Sequence, residues 1–388
     1  MKKVGIWCSI ALCLLVLLTP AVHAEGGGED ADVSVEAGAV REEWEGFWSA
    51  IPPEIADLLP ESFFSENAQD IAGGVKDATS LGAILSVIGR ITGCSISENL
   101  SMMARIFGIL LISAVFRSLC AGYASSAGVK NALSLCSSAT MVVLIFGGLR
   151  TRFSEISAFF CVIQDLSVAL LPLMGALYAM GGNVGAAAAN HAVMTGFLSI
   201  LQAVVSGTVL PVAGICLALA LLDAVSGNGS LRSLAGLIKK TYTLTLSFLM
   251  LLLCGVLGMQ STLAKAGDTL ALRTARFAAG SFLPVVGGSV SETLRTVAGS
   301  VQYLRGVAGT GAILVLLFAF LPVFLSVLLN RITFMLCGAA AKLLHCDAEE
   351  KVLSELSSVY GYFLAVIASL FVVVTFSLTL FSRCAAAG

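Results

Sequence analysis

Residues 191–222 form a continuous stretch of 32 residues that contains no Asp, Glu, Lys or Arg. As a single helix this stretch would be about 48 Å long, whereas the hydrocarbon core of a bilayer is about 30 Å thick. The stretch must therefore tilt strongly or break, and Gly207 and Pro211 lie where a break is expected. Across the chain, 57% of the residues are hydrophobic, 12% are charged and the mean hydropathy is +0.96. This composition is typical of a membrane protein and excludes a lone small soluble domain.

The region from residue 100 to residue 388 is organised into apolar stretches that are long enough to cross a membrane. The predicted spans are residues 100–120, 132–149, 156–180, 191–225, 241–260, 311–329 and 357–381. A shorter apolar run of 14 residues, 332–345, favours a re-entrant or interfacial segment. The sequence thus predicts an all-α polytopic membrane protein, a helical bundle with Pro/Gly-broken or re-entrant segments.

The number of spans depends on residues 191–225, which give seven spans if they cross once and eight if they cross twice. The Lys and Arg residues of the predicted loops divide almost equally between the two sides of the membrane in both cases, so they do not decide the number. We predict eight spans, with a break near Gly207 to Pro211 and an extracytoplasmic C-terminus.

Residues 1–24 have the features of a cleavable signal peptide. Lys2 and Lys3 precede an apolar core of about 15 residues, and Val22-His23-Ala24 forms a small-residue exit. The core is shorter than the roughly 20 residues of a spanning helix, and an uncleaved first anchor is the alternative. In both cases we expect residues 25–99 to begin on the extracytoplasmic side.

Residues 25–99 form an acidic segment with 15 Asp and Glu against 3 Lys and Arg, whereas residues 100–388 have 9 against 17. Apolar side chains recur in the acidic segment at helical spacing before a Pro-Pro pair: Trp44, Phe47, Trp48 and Ile51, then Pro52-Pro53. We expect two short helices here, which either pack on the rest of the protein or dock a partner or the membrane face. The overall charge of −2 excludes a basic surface for nucleic acid.

Residue types that support catalysis or metal binding occur without the spacing that such sites need. The chain has 11 Cys but no Cys-x-x-Cys pair, and it has only 3 His. The zinc-knuckle, HExxH, GxSxG and Walker A patterns do not occur in the sequence. We therefore expect no enzymatic activity, no catalytic residue, no metal site and no cofactor.

Asp165 lies inside the predicted span 156–180 and is the clearest charge within a span. An ionised group in hydrocarbon is costly unless it faces protein or water. Asp165 could therefore belong to a transport path, hydrogen-bond to a neighbouring helix, or serve as counter-charge for a partner. Arg105, Arg117 and Asp223 lie near span ends, where we expect them to snorkel to the interface.

Four Leu-Pro pairs punctuate the apolar region, and the second two repeat the first two after 111 or 112 residues. They are Leu171-Pro172, Leu210-Pro211, Leu283-Pro284 and Leu321-Pro322. Internal repeats with proline-broken helices are features of transporters. Together with Asp165, they make a stand-alone secondary transporter for a small solute the alternative function.

The most distinctive local sequence lies between the fifth span and residue 311. It reads Arg273-Thr274-Ala275-Arg276-Phe277, followed by Gly280, Phe282 and Pro284-Val285-Val286-Gly287. This run resembles the signature of the stage III sporulation protein AE family of endospore-forming bacteria. The resemblance extends to Leu170-Leu171-Pro172-Leu173, Gly181-Gly182 and Asn190-His191. It covers nearly all of residues 100–388 and is weak in residues 25–99.

The resemblance implies a multi-pass membrane subunit of the transenvelope complex that is built around the forespore during engulfment. It places the protein in the mother-cell membrane, with residues 25–99 between the two membranes, and implies no enzymatic activity. The implied partners are the other membrane proteins of the stage III A operon and the stage II protein Q, which reaches across from the forespore. The complex resembles specialised secretion systems and sustains forespore development.

The family-motif residues are candidates for assembly of such a complex. They are Arg273, Thr274, Arg276, Phe277, Gly280, Phe282, Pro284 and Gly287. Arg273 and Arg276 offer hydrogen-bond donors to lipid phosphates of the bilayer or to acidic groups of a partner. An interfacial helix that seals the bundle is the alternative role for this segment.

Overall fold

The structure is a computed structural model in which every described regular element is helical, which confirms the predicted all-α class. The described residues are 37–59, 73–74, 81–123, 127–180, 192–193, 195–196, 199–200, 203–226, 230–252, 255–256, 259 and 287–383. The predicted signal peptide, residues 1–24, lies outside them.

The helices are numbered in chain order. They are α1 (Ala37–Ser49), α2 (Pro53–Ala56), α3 (Leu81–Tyr123), α4 (Ala127–Met180), α5 (Leu210–Ser226), α6 (230–252), α7 (Gly287–Leu343) and α8 (Asp347–Arg383), and a π-helix, Val205–Val209, directly precedes α5. Four described segments are long and apolar enough to cross a bilayer: Ile96–Leu119, Thr151–Ala176, Gly309–Leu343 and Asp347–Phe376. The chain is therefore a helical membrane protein.

The helix predicted around Trp44 is confirmed as α1. Phe47 is buried, and the rings of Trp44 and Trp48 meet edge-on with centroids 5.3 Å apart. Pro53 occupies the first turn of α2, where its missing N–H would have no helical partner. Since α1 packs on α4 and α2 contacts α7, the structure shows the first expected role of these helices, packing on the rest of the protein.

Helix α4 is continuous over 54 residues, so the loop predicted between spans 132–149 and 156–180 is wrong. The intervening residues contain no Gly or Pro, and Arg152 forms ion pairs with Glu155 of the next turn, at 2.8 Å, and with Glu98 of α3. These contacts neutralise the charges without a loop. At 1.5 Å per residue, α4 is about 80 Å long, which is roughly twice the thickness of a bilayer with its headgroups.

Helix α7 is continuous over 57 residues and is about 85 Å long. The apolar run 332–345, predicted as re-entrant or interfacial, instead continues this helix as far as Leu343, so that prediction is wrong. The polar pair that precedes the run does not interrupt the helix. Asn330 donates to the carbonyl of Ser326 one turn back, at 2.8 Å, and the Arg331 guanidinium lies against Gly361 of α8.

The predicted chain break near Gly207 to Pro211 is also wrong, because residues 203–226 stay helical through it. The helix does change its geometry there, from π to α. Pro211 has no N–H to donate to the carbonyl of Gly207, and a π turn is a common way to absorb such a lost bond. Thr208 donates to the carbonyl of Val204 and shares a hydrogen bond with Tyr242 of α6.

The long helices form three hairpins, α3–α4, α5–α6 and α7–α8. The adjoining helix ends of each pair lie at one end of the bundle, termed here the turn end. Ser113 of α3 and Ser137 of α4 both hydrogen-bond to Glu349, in the first turn of α8. Arg232, near the start of α6, donates to Ser354 at 2.8 Å. The start of α8 therefore lies between the ends of the other two hairpins.

An aromatic core runs between α4, α7 and α8. The ring centroid of Phe320 on α7 lies 5.0 Å from the ring centroids of Phe159 on α4 and Phe371 on α8. Phe153 and Phe363 make a similar contact between α4 and α8 at 5.3 Å. Edge-to-face contacts of this kind hold α8 at the centre of the bundle.

Candidate functional site

Glu349 is the centre of a buried polar cluster at the turn end. Its side chain is 0% exposed, and its Oε2 lies 2.9 Å from Nη2 of Arg117. Its Oε1 accepts hydrogen bonds from Ser113, at 2.7 Å, and from Ser137. These four residues are termed the Glu349 cluster. Three donors satisfy the carboxylate in a place that water does not reach, and they join α3, α4 and α8.

The connection between α7 and α8 completes the surroundings of this cluster. His345 adopts a left-handed conformation, with φ of 55°, and its carbonyl accepts a hydrogen bond from Arg117 at 3.0 Å. Cys346 is buried, with its Sγ 3.9 Å from the hydroxyl oxygen of Ser113. Burial raises the pKa of the Cys346 thiol, and the negative charge of Glu349 raises it further. The thiol is therefore a poor nucleophile at neutral pH.

A second buried cluster forms around Glu355, one and two-thirds turns further along α8. Lys239 of α6 donates to Oε1 of Glu355, and Nε of Arg232 lies 3.4 Å from Oε2. The side chains of Lys239 and Glu355 are 8% and 7% exposed. Lys239 also donates to Ser358, and Arg232 to Ser354, both at 2.8 Å. These five residues are termed the Glu355 cluster.

The two carboxylates point in different directions from the same helix. Six residues at 100° each place Glu349 and Glu355 about 120° apart around the axis of α8. Glu349 therefore meets the α3–α4 hairpin, whereas Glu355 meets α6. Each carboxylate is already engaged by several donors on neighbouring helices. The arrangement is suited to fixing the relative positions of the three hairpins.

Most of the sequence-predicted motif lies outside the described residues. Arg273, Thr274, Arg276, Phe277, Gly280, Phe282 and Pro284 are among those outside, and Gly287 is the first residue of α7. Their assembly role stays a prediction. Within the described ranges, no three His, Cys, Asp or Glu residues converge as metal ligands.

Asp165 lies on the exposed side of α4, inside the candidate span Thr151–Ala176. None of the described residues pairs with its carboxylate. The expected snorkelling of Arg117 is not observed, because this side chain pairs with Glu349 inside the bundle. Asp223 is 1% exposed, so it is buried rather than at an interface.

The two clusters were not predicted from the sequence. Arg117 and Glu349 are 232 residues apart, so no local pattern joins them. A signal was nonetheless present, because Glu349 lies one turn before the buried stripe of Leu353, Leu356 and Tyr360 and on the same face. An acidic residue in line with an apolar stripe indicates a buried partner.

Comparisons with known proteins match the sequence of the chain to one family. Residues 64–386 match the family model described as Stage III sporulation protein AE. The chain is also 24% identical over 302 residues to the Stage III sporulation protein AE of Bacillus subtilis (strain 168), a match that covers 76% of this chain and 73% of that protein. No solved structure matches the chain. The matched range contains α3 to α8 as far as residue 383, and with them both carboxylate clusters and the 273–287 motif.

Proposed function

Because the chain belongs to the stage III sporulation protein AE family, we propose that it is a membrane subunit of the transenvelope complex that links the mother cell to the forespore after engulfment. The family assignment and the described helices make it a sporulation-related membrane protein. The proposal adds a place in the mother-cell membrane, extracytoplasmic residues 25–99, and partners among the stage III A membrane proteins and the stage II protein Q.

The observation that carries the proposal beyond family membership is the length of α4 and α7. At about 80 Å and 85 Å, each is nearly twice as long as a bilayer with its headgroups is thick. Part of the bundle must therefore extend beyond one membrane, unless these helices lie nearly flat in it. A protein that works between two closely apposed membranes has a use for such an extension.

The packing of the N-terminal helices supports the same placement. Arg90, in the N-terminal third of α3, donates to the carbonyl of Asp57, just after α2, at 2.9 Å. This contact holds the N-terminal helices near the start of α3, away from the turn end. If a signal peptide exports this segment, then the turn end faces the cytoplasm and the opposite end faces the intermembrane space.

The proposed role is structural or channel-forming rather than enzymatic. Both buried carboxylates accept hydrogen bonds from neighbouring helices. The raised pKa of the Cys346 thiol keeps it neutral at neutral pH. These groups are suited to holding helices in register. The alternative function, a stand-alone transporter, gains nothing from Asp165, because this residue faces out of the bundle, whereas transporter sites lie inside it.

The proposal is tested by purifying the chain with an affinity tag from sporulating cells after engulfment. Stage III A membrane proteins are expected to co-purify, and deletion of the gene should arrest forespore development after engulfment. Replacement of both Arg273 and Arg276 by Gln should reduce co-purification about tenfold without lowering the amount of protein in the membrane. Arg105→Gln, at an exposed site on α3, is the matched control and should have no effect. Purification without these partners, or solute uptake by the chain reconstituted alone, would show that the proposal is wrong.

A further inference from the structure

The outward side of α4 exposes small and polar side chains within the candidate span Thr151–Ala176. Its exposed positions include Ser154, Ala158, Cys161, Asp165 and Val168, termed here the Asp165 face. At 100° per residue these five side chains fall within about 80° of the helix circumference, so they form one continuous strip. The other side of the helix is buried in the bundle.

Aromatic contacts relate the depth of this face to that of α6. Phe153 of α4 packs on Phe363 of α8, and the adjacent Tyr362 packs on Tyr242 of α6 at 5.6 Å. Residues 153 and 242 therefore lie at about the same level, and both helices run away from the turn end. Asp165 is twelve residues beyond Phe153, or about 18 Å at the helical rise. It lies level with the end of α6, near Leu252.

The outward side of α6 at this level has the character of a lipid-facing surface. Its exposed large apolar side chains include Leu244, Phe248, Leu251 and Leu252, and Val256 and Met259, just beyond α6, are also exposed. Residues 241–260 contain no Asp, Glu, Lys or Arg. The Asp165 face, by contrast, exposes one large apolar side chain, Val168, and a carboxylate. Where this part of α4 lies within the bilayer, as the apolar surface of α6 at the same level indicates, contact of a carboxyl group with lipid is costly and a protein surface is the more favourable cover for the Asp165 face.

We propose that the Asp165 face packs against a transmembrane helix of another membrane protein, which places a Lys or Arg side chain opposite Asp165. The inference rests on the proposed role of the chain as a subunit of a membrane complex, and it names one contact surface of that subunit. Charge complementarity identifies the partner, because no described residue of this chain supplies the missing cation. The small side chains of Ser154, Ala158 and Cys161 allow a second backbone to approach closely, as is usual between membrane helices.

A second copy of the chain fits this surface less well. A two-fold contact through the Asp165 face would place like charges against each other. The segments of α7 and α8 that share its depth, 309–329 and 357–381, contain no Lys or Arg. A water-filled conduit would also solvate the carboxylate, and the experiment separates this case from a helix contact.

The test uses the full-length chain in sporulating cells, with the photoreactive residue p-benzoylphenylalanine at position 161. The matched control carries the same residue in place of Phe248, which is 59% exposed on the lipid-like side of α6. Irradiation is expected to give a protein adduct at position 161 and about tenfold less at position 248. Mass spectrometry should place the adduct on a transmembrane helix within one turn of a Lys or Arg. Adding Asp165→Leu should reduce the adduct about tenfold at unchanged membrane abundance, whereas Asp165→Glu should retain it.

Three results would overturn the inference: an adduct with lipid alone, an adduct with a second copy of the chain, or rapid reaction of Cys161 with a charged thiol reagent in the assembled complex. If position 161 gives no protein adduct while the tagged chain still co-purifies with the stage III A membrane proteins, the surface is wrong and the proposed function stands. An adduct with a basic helix of some other membrane protein, without those partners, supports the surface and contradicts the proposed function.

Discussion

Glu349 of α8 and Arg117 of α3 form an ion pair across the turn end, yet the two side chains are not equally buried. The Glu349 side chain is 0% exposed, whereas the Arg117 side chain is 26% exposed and also donates to the carbonyl of His345. Arg117 can therefore reach water if it loses its partner, but Glu349 cannot. The pair fixes α3 against α8, and the two ends of this contact should respond differently to mutation.

We predict that Arg117→Met destabilises the protein more than Glu349→Gln does. The first change leaves a buried carboxylate with only the hydroxyl donors Ser113 and Ser137, which should cost about 3 kcal/mol. The second change keeps an acceptor for both hydroxyls and leaves a cation that water can reach, so its cost should be about 1 kcal/mol. Denaturant unfolding of the purified protein in detergent micelles, followed by circular dichroism, measures both values.

The control for this prediction is the double variant. Because Arg117→Met and Glu349→Gln remove the same interaction, the double variant should be less destabilised than the sum of the two single changes. Strict additivity would mean that the observed pair contributes nothing in solution.

In the Glu355 cluster, removing both charged partners should destabilise the protein less than removing one of them. Glu355→Leu alone leaves Lys239 buried without a carboxylate, and we expect a loss of about 3 kcal/mol. Glu355→Leu together with Lys239→Met removes both buried charges, while Arg232, whose side chain is 37% exposed, can turn to water. The free energy of unfolding of the double variant should therefore lie within about 1 kcal/mol of that of the native protein in the same assay. A double variant as unstable as Glu355→Leu would contradict this account of the cluster.

Cys346, which is buried, should react with iodoacetamide only at a higher pH than a freely exposed thiol such as that of N-acetylcysteine. Burial and the charge of Glu349 raise the pKa of the Cys346 thiol, and only the thiolate reacts. The proton is held more tightly in the folded state, so this group contributes stability at neutral pH that is lost as the pH rises above the ordinary thiol range. Mass spectrometry of single-cysteine variants measures the midpoint of labelling. Glu349→Gln should lower that midpoint for Cys346, because it removes the negative charge beside the thiol.

The sequence predicts the helices themselves well but predicts their ends less well. Hydropathy is a local property, so it identifies the apolar parts of α3, α4, α7 and α8. A short charged segment such as residues 150–155 reads as a loop, because the partner that neutralises Arg152 is Glu98 on another helix. The same reason makes Asn330 and Arg331 read as the end of a span, although the helix continues through them.

The candidate site could not be predicted from the sequence because its parts meet only in the folded bundle. Lys239 reads as one basic residue of a loop, yet it is buried against Glu355, 116 residues away. The sequence correctly located a change in the helix near Pro211. The predicted chain break there was wrong, since a π turn absorbs the missing hydrogen bond. The family motif gives the opposite case, in which the sequence is informative and most of the segment lies outside the described residues.

The orientation of the bundle can be measured with two single-cysteine variants in a background from which all 11 native cysteines are removed. Glu42→Cys lies at an exposed site of α1, and Lys342→Cys lies at an exposed site of the turn end. A membrane-impermeant maleimide should label the first in intact protoplasts and the second only after permeabilisation. Labelling of both residues from outside would contradict the hairpin arrangement with a cytoplasmic turn end.

The contact between Gly361 and Arg331 gives a last prediction, in which the same substitution at two glycines has different effects on the stability of the protein. A Cβ added at Gly338 would lie 3.6 Å from Cβ of Leu353, which is ordinary contact, whereas one added at Gly361 would lie 3.1 Å from Cζ of Arg331. Gly338→Ala should therefore stabilise the protein by up to about 1 kcal/mol, the usual gain in a helix. Gly361→Ala should stabilise the protein less, or destabilise it, because the new methyl group must displace the guanidinium.

The cause can be isolated in an Arg331→Ala background, which removes the guanidinium from Gly361. In that background Gly361→Ala should stabilise the protein by about as much as Gly338→Ala, up to about 1 kcal/mol, since both sites then offer ordinary space in a helix. Unfolding in detergent micelles measures all four variants. If Gly361→Ala is equally unfavourable with and without Arg331, the side chain is not what limits this site, and the packing of α7 on α8 at Gly361 must be closer than the structure shows.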